Sequence, residues 1–248
     1  MTGTDSIIYD ISIVVPCYQE EGHLRESVQL IYDLLNKTTY KFEMIFVDDC
    51  SKDKTREIIL DIINEFPNVK YLFHETNVGR GGTFLDGVKI SNGKYVGFLD
   101  IDLEISCDYL LKVALELENG CDVVIVRRHY ALSFSPIFIL RHIISVGYKI
   151  LLSKYLGIPR MDTETGFKFF RKDCIVKLAE KIENKKWFFD TEVMVLAYFN
   201  KYKIKEVDGS FIRKPNKVST VKIFRDTIDY LIALKKFKYR MKMQKLIQ

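Results

Sequence analysis

Val96-Gly97-Phe98-Leu99-Asp100-Ile101-Asp102 is the stretch on which the reading of this chain turns. Four uncharged residues followed by two carboxylates two positions apart predict a buried strand that ends in a polar turn. The same shape recurs on either side. Ile11–Pro16 runs into Tyr18-Gln19-Glu20, Met44–Asp48 closes on Asp48-Asp49, and Asp122–Arg127 runs into Arg128. Helical patterns fill the intervals at Glu20–Asn36, Lys54–Phe66, Gly81–Ser91 and Asp108–Asn119, with a further strand at Val69–His74. Such alternation predicts an α/β fold, a mostly parallel sheet flanked by helices. Ligands of these sheets bind outside the carboxyl ends of the strands. Four strand ends are therefore expected to converge on one cleft.

The second half is less regular. Ile137–Tyr155 reads as a helix whose polar residues Arg141, Ser145, Lys149 and Ser153 recur every four positions. Its apolar remainder suits either a core or the headgroup layer of a membrane. A short strand is expected at Phe167–Phe170 and a helix at Thr191–Asn200, capped by Asp190. A long helix from Thr220 carries Ile223, Thr227, Tyr230, Leu231, Leu234, Phe237 and Met241 on one stripe. With no repeat and no low-complexity linker, the expected organisation is a catalytic domain over 1–215 and a basic helical extension over 216–248.

The 248 residues are 48% hydrophobic and 29% charged, which excludes collagen-like, disordered and disulfide-scaffold classes. Net charge is +5, but it is unevenly placed. No acidic residue follows Asp229, whereas Lys235, Lys236, Lys238, Arg240, Lys242 and Lys245 do; without those six, 32 basic residues face 33 acidic ones. The body is near neutral and the tail cationic, which points to an anionic membrane surface or a nucleic acid. Only Phe237 and Tyr239 interleave aromatic rings with those cations, too few for base stacking, so no nucleic-acid partner is expected. The beginning of the chain lacks a basic n-region, so no signal peptide is expected. No run reaches the ~18 apolar residues of a spanning helix. Five cysteines without C-x-x-C spacing argue against a zinc site and fit a reducing cytoplasm.

Asp100, Asp102 and Glu104 offer three hard oxygen ligands at one strand end, suited to a divalent cation shared with a diphosphate. Read alone, a D-x-D is more often a solvated acidic loop. Asn77-Val78-Gly79-Arg80-Gly81-Gly82 precedes a helix and lets backbone approach an anion, or simply makes a tight turn. It is neither the dinucleotide fingerprint nor a P-loop. Trp187-Phe188-Phe189 reads as core or as a sugar platform, and the four histidines are scattered.

Taken together, Val14-Val15-Pro16-Cys17-Tyr18-Gln19-Glu20, Phe46-Val47-Asp48-Asp49-Cys50-Ser51 with Asp53 and Thr55, Asn77–Gly82 and Asp100-Ile101-Asp102 resemble a family 2 glycosyltransferase of the Rossmann-like GT-A fold. Asp162–Arg171, Trp187–Glu192 and Ser219–Ile223 resemble, more narrowly, the dolichyl-phosphate glucosyl- and mannosyltransferases. The resemblance implies a nucleotide-sugar site made of Pro16, Tyr18, Glu20, Val47, Asp49, Gly79, Arg80, Asp100, Ile101, Asp102 and Glu192. It implies Mg²⁺ or Mn²⁺ on Asp100, Asp102 and Glu104, where mannosyltransferases of the group often carry Gln in place of the last. It implies an acceptor-phosphate clamp of Arg128, Arg171 and Arg213, and catalytic roles for Asp102, Arg128, Asp190 and Arg213. The stretch Lys214-Pro215-Asn216-Lys217-Val218 departs from the family's usual Gly-x-Ser-Lys ending.

The implied reaction is inverting transfer of a hexose from a UDP- or GDP-sugar to a polyprenyl (dolichyl-type) phosphate. The enzyme is expected to be cytoplasmic and held peripherally at the cytoplasmic face of a membrane. A membrane-spanning partner protein or a second copy of the chain is left open as a further partner. The alternative is a soluble family 2 enzyme acting on a saccharide or other hydroxyl, with Asp190 as general base.

Overall fold

A computed structural model describes residues 9–130, 136–212 and 223–244. In chain order the elements are β1 (Tyr9–Cys17), α1 (Leu24–Leu35), β2 (Phe42–Asp48), α2 (Thr55–Glu65), β3 (Val69–Phe73), α3 (Arg80–Ile90), β4 (Gly93–Leu99) and α4 (Tyr109–Glu118). They continue with β5 (Val123–Tyr130), α5 (Pro136–Leu156), β6 (Phe167–Arg171), α6 (Lys172–Ala179), α7 (Phe189–Phe199), β7 (Ile204–Phe211) and α8 (Ile223–Met243). The strands form one sheet in the order β3-β2-β1-β4-β6-β5-β7. All pairings are parallel except those of β6, which runs antiparallel between β4 and β5. Six strands therefore end on one edge, and the chain enters β6 from that same edge.

Side-chain alternation along the strands builds two cores. Ile11, Ile13, Val15, Met44, Phe46, Tyr95, Leu99, Val124, Val126, Phe167 and Phe169 face α1, α2 and α4. Val14, Ile45, Val47, Val96, Phe98, Val123, Ile125 and Phe170 face the opposite way, toward α3, α6 and α7, with parts of α5 and α8. A sheet covered on both faces requires near-continuous apolar strands, which is the pattern of Met44–Val47 and Val123–Val126.

Every expected strand and helix of the first half is present, with ends shifted by a few residues. Two elements escape the sequence pattern. β7 (Ile-Lys-Glu-Val-Asp-Gly-Ser-Phe) is a polar edge strand with β5 as its strand neighbour and a single bridge from Phe211 to Ile105, and α6 is a helix of eight residues begun directly at the end of β6. Asp190 also differs from expectation. α7 begins two residues earlier than expected, at Phe189, so Asp190 lies inside its first turn and does not cap it. The expected boundary at 215/216 falls outside the described residues.

α8 splits its charge between two sides. Leu234, Phe237 and Met241 are buried against the body. Arg240 turns inward with them, bonding Glu192 through Nη2 and lying 2.7 Å from Glu183 through Nη1. Lys235, Lys236, Tyr239, Lys242 and Met243 face outward. Removing one partner of a buried ion pair strands the other charge. Arg240→Met is therefore expected to cost about 3 kcal/mol in urea unfolding, whereas Lys242→Met changes stability by less than about 0.5 kcal/mol.

Candidate functional site

The loops after β1, β2 and β4 each contain one non-glycine residue in the left-handed region: Gln19 (φ 59°), Cys50 (φ 66°) and Leu103 (φ 51°). Such conformations are disfavoured and persist where surrounding structure over-determines them, most often at functional sites. All three lie on the strand-end edge. The first two loops are tied together: Gln19 N donates to Ser51 Oγ, Glu20 N to Thr55 Oγ1, and Asp49 N to Cys17 O. Tyr18 is exposed and Pro16 half-buried, whereas Val47 is wholly in the core. Val47 therefore leaves only its backbone for any ligand at this edge.

Asp49 is buried and committed to the loop before α3. Val78 N and Gly79 N donate to its two oxygens at 2.8 and 2.9 Å, and His74 Nδ1 lies 3.0 Å away. The glycines of that loop serve close packing. A Cβ on Gly79 (φ +92°) would lie 2.6 Å from Lys185 O, and one on Gly81 would lie 2.4 Å from the Phe189 ring. Gly82 N donates to Lys185 O, so one amide at the start of α3 already has a backbone partner from the segment leading into α7. Phe188 and Phe189 are core; Trp187 faces solvent.

Arg80, first residue of α3, is drawn by this packing over the end of β4. Its Nη2 is 2.7 Å from Asp100 Oδ1 and its Nε 3.5 Å from Asp190 Oδ2. Its guanidinium lies 5.0 Å from the Phe98 ring centre. On the other side of Asp190, Lys168 Nζ reaches Oδ1 at 2.5 Å and also donates to Thr165 O. Lys168 is completely buried on β6, over the same Phe98 ring. Burial lowers its pKa, with Asp190 opposing. Lys168, Asp190, Arg80 and Asp100 thus form a row of alternating charges. Gly166 completes the enclosure, since a Cβ there would sit 1.8 Å from Asp100 Oδ2.

Ile101 and Asp102 are buried, and Asp102 Oδ1 accepts from Glu104 N at 3.1 Å. The donor set is chemically right for Mg²⁺ or Mn²⁺. Among the described residues no three His, Cys, Asp or Glu side chains come together as a cage, which leaves the arrangement Mg²⁺ usually takes, one or two carboxylates completed by substrate phosphates. Asp100 is held by Arg80.

Arg128 closes the far side through Asp162, which precedes β6. Nε and Nη2 bond Asp162 in a fork at 3.0 and 2.7 Å, Arg128 N adds a third bond, and Lys149 Nζ of α5 lies 3.6 Å away. Burial alone would raise the Asp162 pKa, but the Arg128 hydrogen bonds and charge outweigh it and hold it at about 2. Lys149 therefore points into the protein, the core alternative for this face of the helix.

Two expected site residues are not brought here. Arg171 lies at the opposite edge, because β6 is antiparallel and pairs Arg171 with Tyr95 near the start of β4. There it binds Asp122 and Asp173. Glu192 is buried on Glu183 N, Asn184 N and Arg240, so its carboxylate is a structural anchor. Arg213 and Lys217 lie outside the described residues. Lys168 and Asp162 had no assigned role from sequence; the motif-like stretch Asp162–Arg171, which contains both, was the visible signal.

A parallel-edged α/β sheet with carboxylates and arginines collected at its strand ends is the architecture of the GT-A glycosyltransferases. The family model described as glycosyl transferase family 2 matches residues 12–178, and the chain belongs to that family. A dolichyl-phosphate beta-glucosyltransferase of Trichomonas vaginalis, ALG5D, is 29% identical over 211 residues, covering 79% of this chain. The chain spans 64% of that relative's length. The dolichyl-phosphate beta-glucosyltransferase of Saccharomyces cerevisiae is 27% identical, covering 88% of this chain and 73% of its own. Among solved structures, glucosyl-3-phosphoglycerate synthase of Mycobacterium tuberculosis in complex with uridine diphosphate superposes with a TM-score of 0.68 at 17% identity, over 93% of this chain and 80% of that one.

A carboxylate whose folded pKa is depressed contributes stability that is present above its unfolded pKa and lost as pH falls through the folded value. The stability difference between the native chain and Asp162→Asn is accordingly expected to shrink by about 2 kcal/mol between pH 4 and pH 2, read by denaturant unfolding at each pH.

Proposed function

We propose that this chain transfers a hexose, glucose foremost, from a nucleotide diphosphate sugar to a polyprenyl (dolichyl-type) phosphate at a membrane surface. The relatives' printed activities support the acceptor class, and the uridine diphosphate complex of the structural neighbour supports a UDP-sugar ahead of a GDP-sugar. The observation that carries the choice of acceptor is the engagement of Asp190. Both of its oxygens face cations, Lys168 and Arg80, so the carboxylate is an anchor for positive charge. A hydroxyl acceptor needs a general base in this position; a phosphate monoester arrives already ionised.

An acceptor phosphate oxygen attacks the anomeric carbon as the bond to the donor's diphosphate oxygen breaks. The electron pair leaves on the diphosphate, and configuration inverts. The protein's part is positioning and charge. Arg128, oriented by Asp162 and seconded by Lys149, meets the acceptor phosphate; guanidinium suits phosphate oxygens bidentately. Pro16, Tyr18 and Glu20 with the backbone around Val47 and Asp49 hold the nucleoside. Mg²⁺ or Mn²⁺ is proposed as the cofactor that neutralises the diphosphate when bound.

The surface formed by α5 and α8 supports peripheral attachment to an anionic bilayer. No helix among the described residues is long and apolar enough to cross one. A groove of about 400 Å³ runs between the two helices, lined by Gly147, Ile150, Leu151, Lys154, Tyr155 and Lys238. Beside it α8 exposes Ile228, Leu231, Ile232, Tyr239 and Met243 among its lysines. Each basic side chain near such a surface adds about 1 kcal/mol. Flotation with phosphatidylserine vesicles at low salt tests this, and protein left wholly in the soluble fraction refutes it.

Incubation with Mn²⁺, a polyprenyl phosphate and a panel of UDP- and GDP-sugars is expected to release nucleoside diphosphate only when the lipid phosphate is present. The unphosphorylated polyprenol does not replace it. Arg128→Gln is expected to raise KM for the lipid about tenfold or more with the donor KM little changed. Release with a saccharide acceptor in place of the lipid would overturn the proposal in favour of the hydroxyl-acceptor enzyme.

A further inference from the structure

We propose that Arg80 is an exchangeable internal counter-ion of Asp100: without ligand it stands where a divalent cation would stand, and a metal–diphosphate pair displaces it. The inference rests on reading the strand-end cleft as the donor site.

Three observations lead to it. First, the carboxylates suited to a cation are not assembled as a cage, and the missing member is accounted for. Asp100 is pressed between Gly166, which has no room for a side chain, and Arg80 Nη2 at 2.7 Å. Second, the row Lys168–Asp190–Arg80–Asp100 is neutral as a whole. A dication arriving at Asp100 with Arg80 in place meets a like charge a few ångströms away and is repelled by it. A dication bound together with an anionic diphosphate meets no such penalty, because the diphosphate takes over the guanidinium as its own partner. Third, the ion pairs of Arg80 leave donor capacity unspent. Its Nε is buried without a hydrogen bond, the nearest carboxylate oxygen being Asp190 Oδ2 at 3.5 Å. Buried N–H groups of that kind call for an explanation, and an anion that enters later supplies one.

Asp190 and Lys168 give the exchange its hinge. Asp190 stays bound to Lys168 on the rigid β6 strand, so Arg80 keeps one partner while it releases the other. Arg80 therefore moves between two anions on a fixed pivot and is never stripped of charge compensation. The consequence is ordered binding: metal alone binds poorly, and metal with nucleotide binds well.

The test uses the full chain and free Mn²⁺ followed by electron paramagnetic resonance. Wild type is expected to take up Mn²⁺ at least tenfold more tightly with UDP or GDP present than without. Arg80→Met, or Arg80→Gln if the first melts early, is expected to bind Mn²⁺ alone at least tenfold more tightly than wild type. Adding Asp100→Asn to either variant returns uptake to the wild-type level. Equal uptake of Mn²⁺ alone by wild type and both Arg80 variants overturns the exchange while leaving the donor site intact. No uptake by any form, even with UDP or GDP, overturns the metal-dependent donor reading and the exchange with it. In the unsubstituted protein, an arginine Nε–H signal in ¹⁵N NMR is expected to shift on adding Mg²⁺ with UDP or GDP. No change in any such signal overturns the exchange without recourse to a variant.

Discussion

Lys168 is an ammonium group with no exposure, on a strand in the middle of a seven-stranded sheet. An unpaired charge there is prohibitive, so the fold must deliver a partner. The partner is Asp190, and the requirement fixes the start of α7 against β6. Once Asp190 is fixed, Phe189 beside it packs on Gly81, and the segment before it gives Lys185 O to Gly82. α3 is thereby pulled close enough for Arg80 to bridge Asp190 and Asp100. One buried lysine thus sets the distance between the strand ends of β1, β2 and β4 and those of β5 and the approach to β6.

The antiparallel insertion of β6 is what makes this geometry available. In a purely parallel sheet the segment Asp162–Gly166 would have no reason to lie at the strand-end edge. Running antiparallel, β6 starts there, so Asp162 meets Arg128 and Gly166 meets Asp100 within five residues of one another. The same reversal sends Arg171 to the opposite edge, which is why one cation of the expected acceptor clamp belongs to a different place. Lys149, reaching from α5 to Asp162, supplies positive charge on the correct edge instead.

These particulars show what the sequence carries and what it does not. Strand ends are legible because apolar runs such as Val96–Leu99 stop abruptly at carboxylates, and chain direction puts parallel strand ends on one edge without further information. Strand order and the sense of β6 are not legible. They depend on which apolar faces meet across the whole chain, and Phe167–Arg171 has the same local pattern either way round. β7 was hidden because an edge strand needs little hydrophobicity to pair. Asp190 looked like a helix cap because a cap and a first-turn acid here differ by only two residues; what separates them is Lys168, twenty-two positions away. Glu192 looked like a ligand-facing acid for a related reason, since the partner that buries it, Arg240, comes from the far end of the chain.

That last pairing also refines the meaning of the cationic tail. A helix that only electrostatics held to a bilayer would point all its basic residues outward. α8 instead commits Arg240 to Glu192 and Glu183, and commits Leu234, Phe237 and Met241 to the core. Its lysines are left on the outer side beside exposed Ile232, Tyr239 and Met243. The helix therefore has a protein face and an outer face with different chemistry, and the outer one cannot be explained by folding. Glu183 and Glu192 bracket the segment whose Lys185 carbonyl receives Gly82 N at the start of α3, next to Arg80. Whatever engages the outer face of α8 is thus mechanically continuous, through Arg240, with the row of charges at the strand ends.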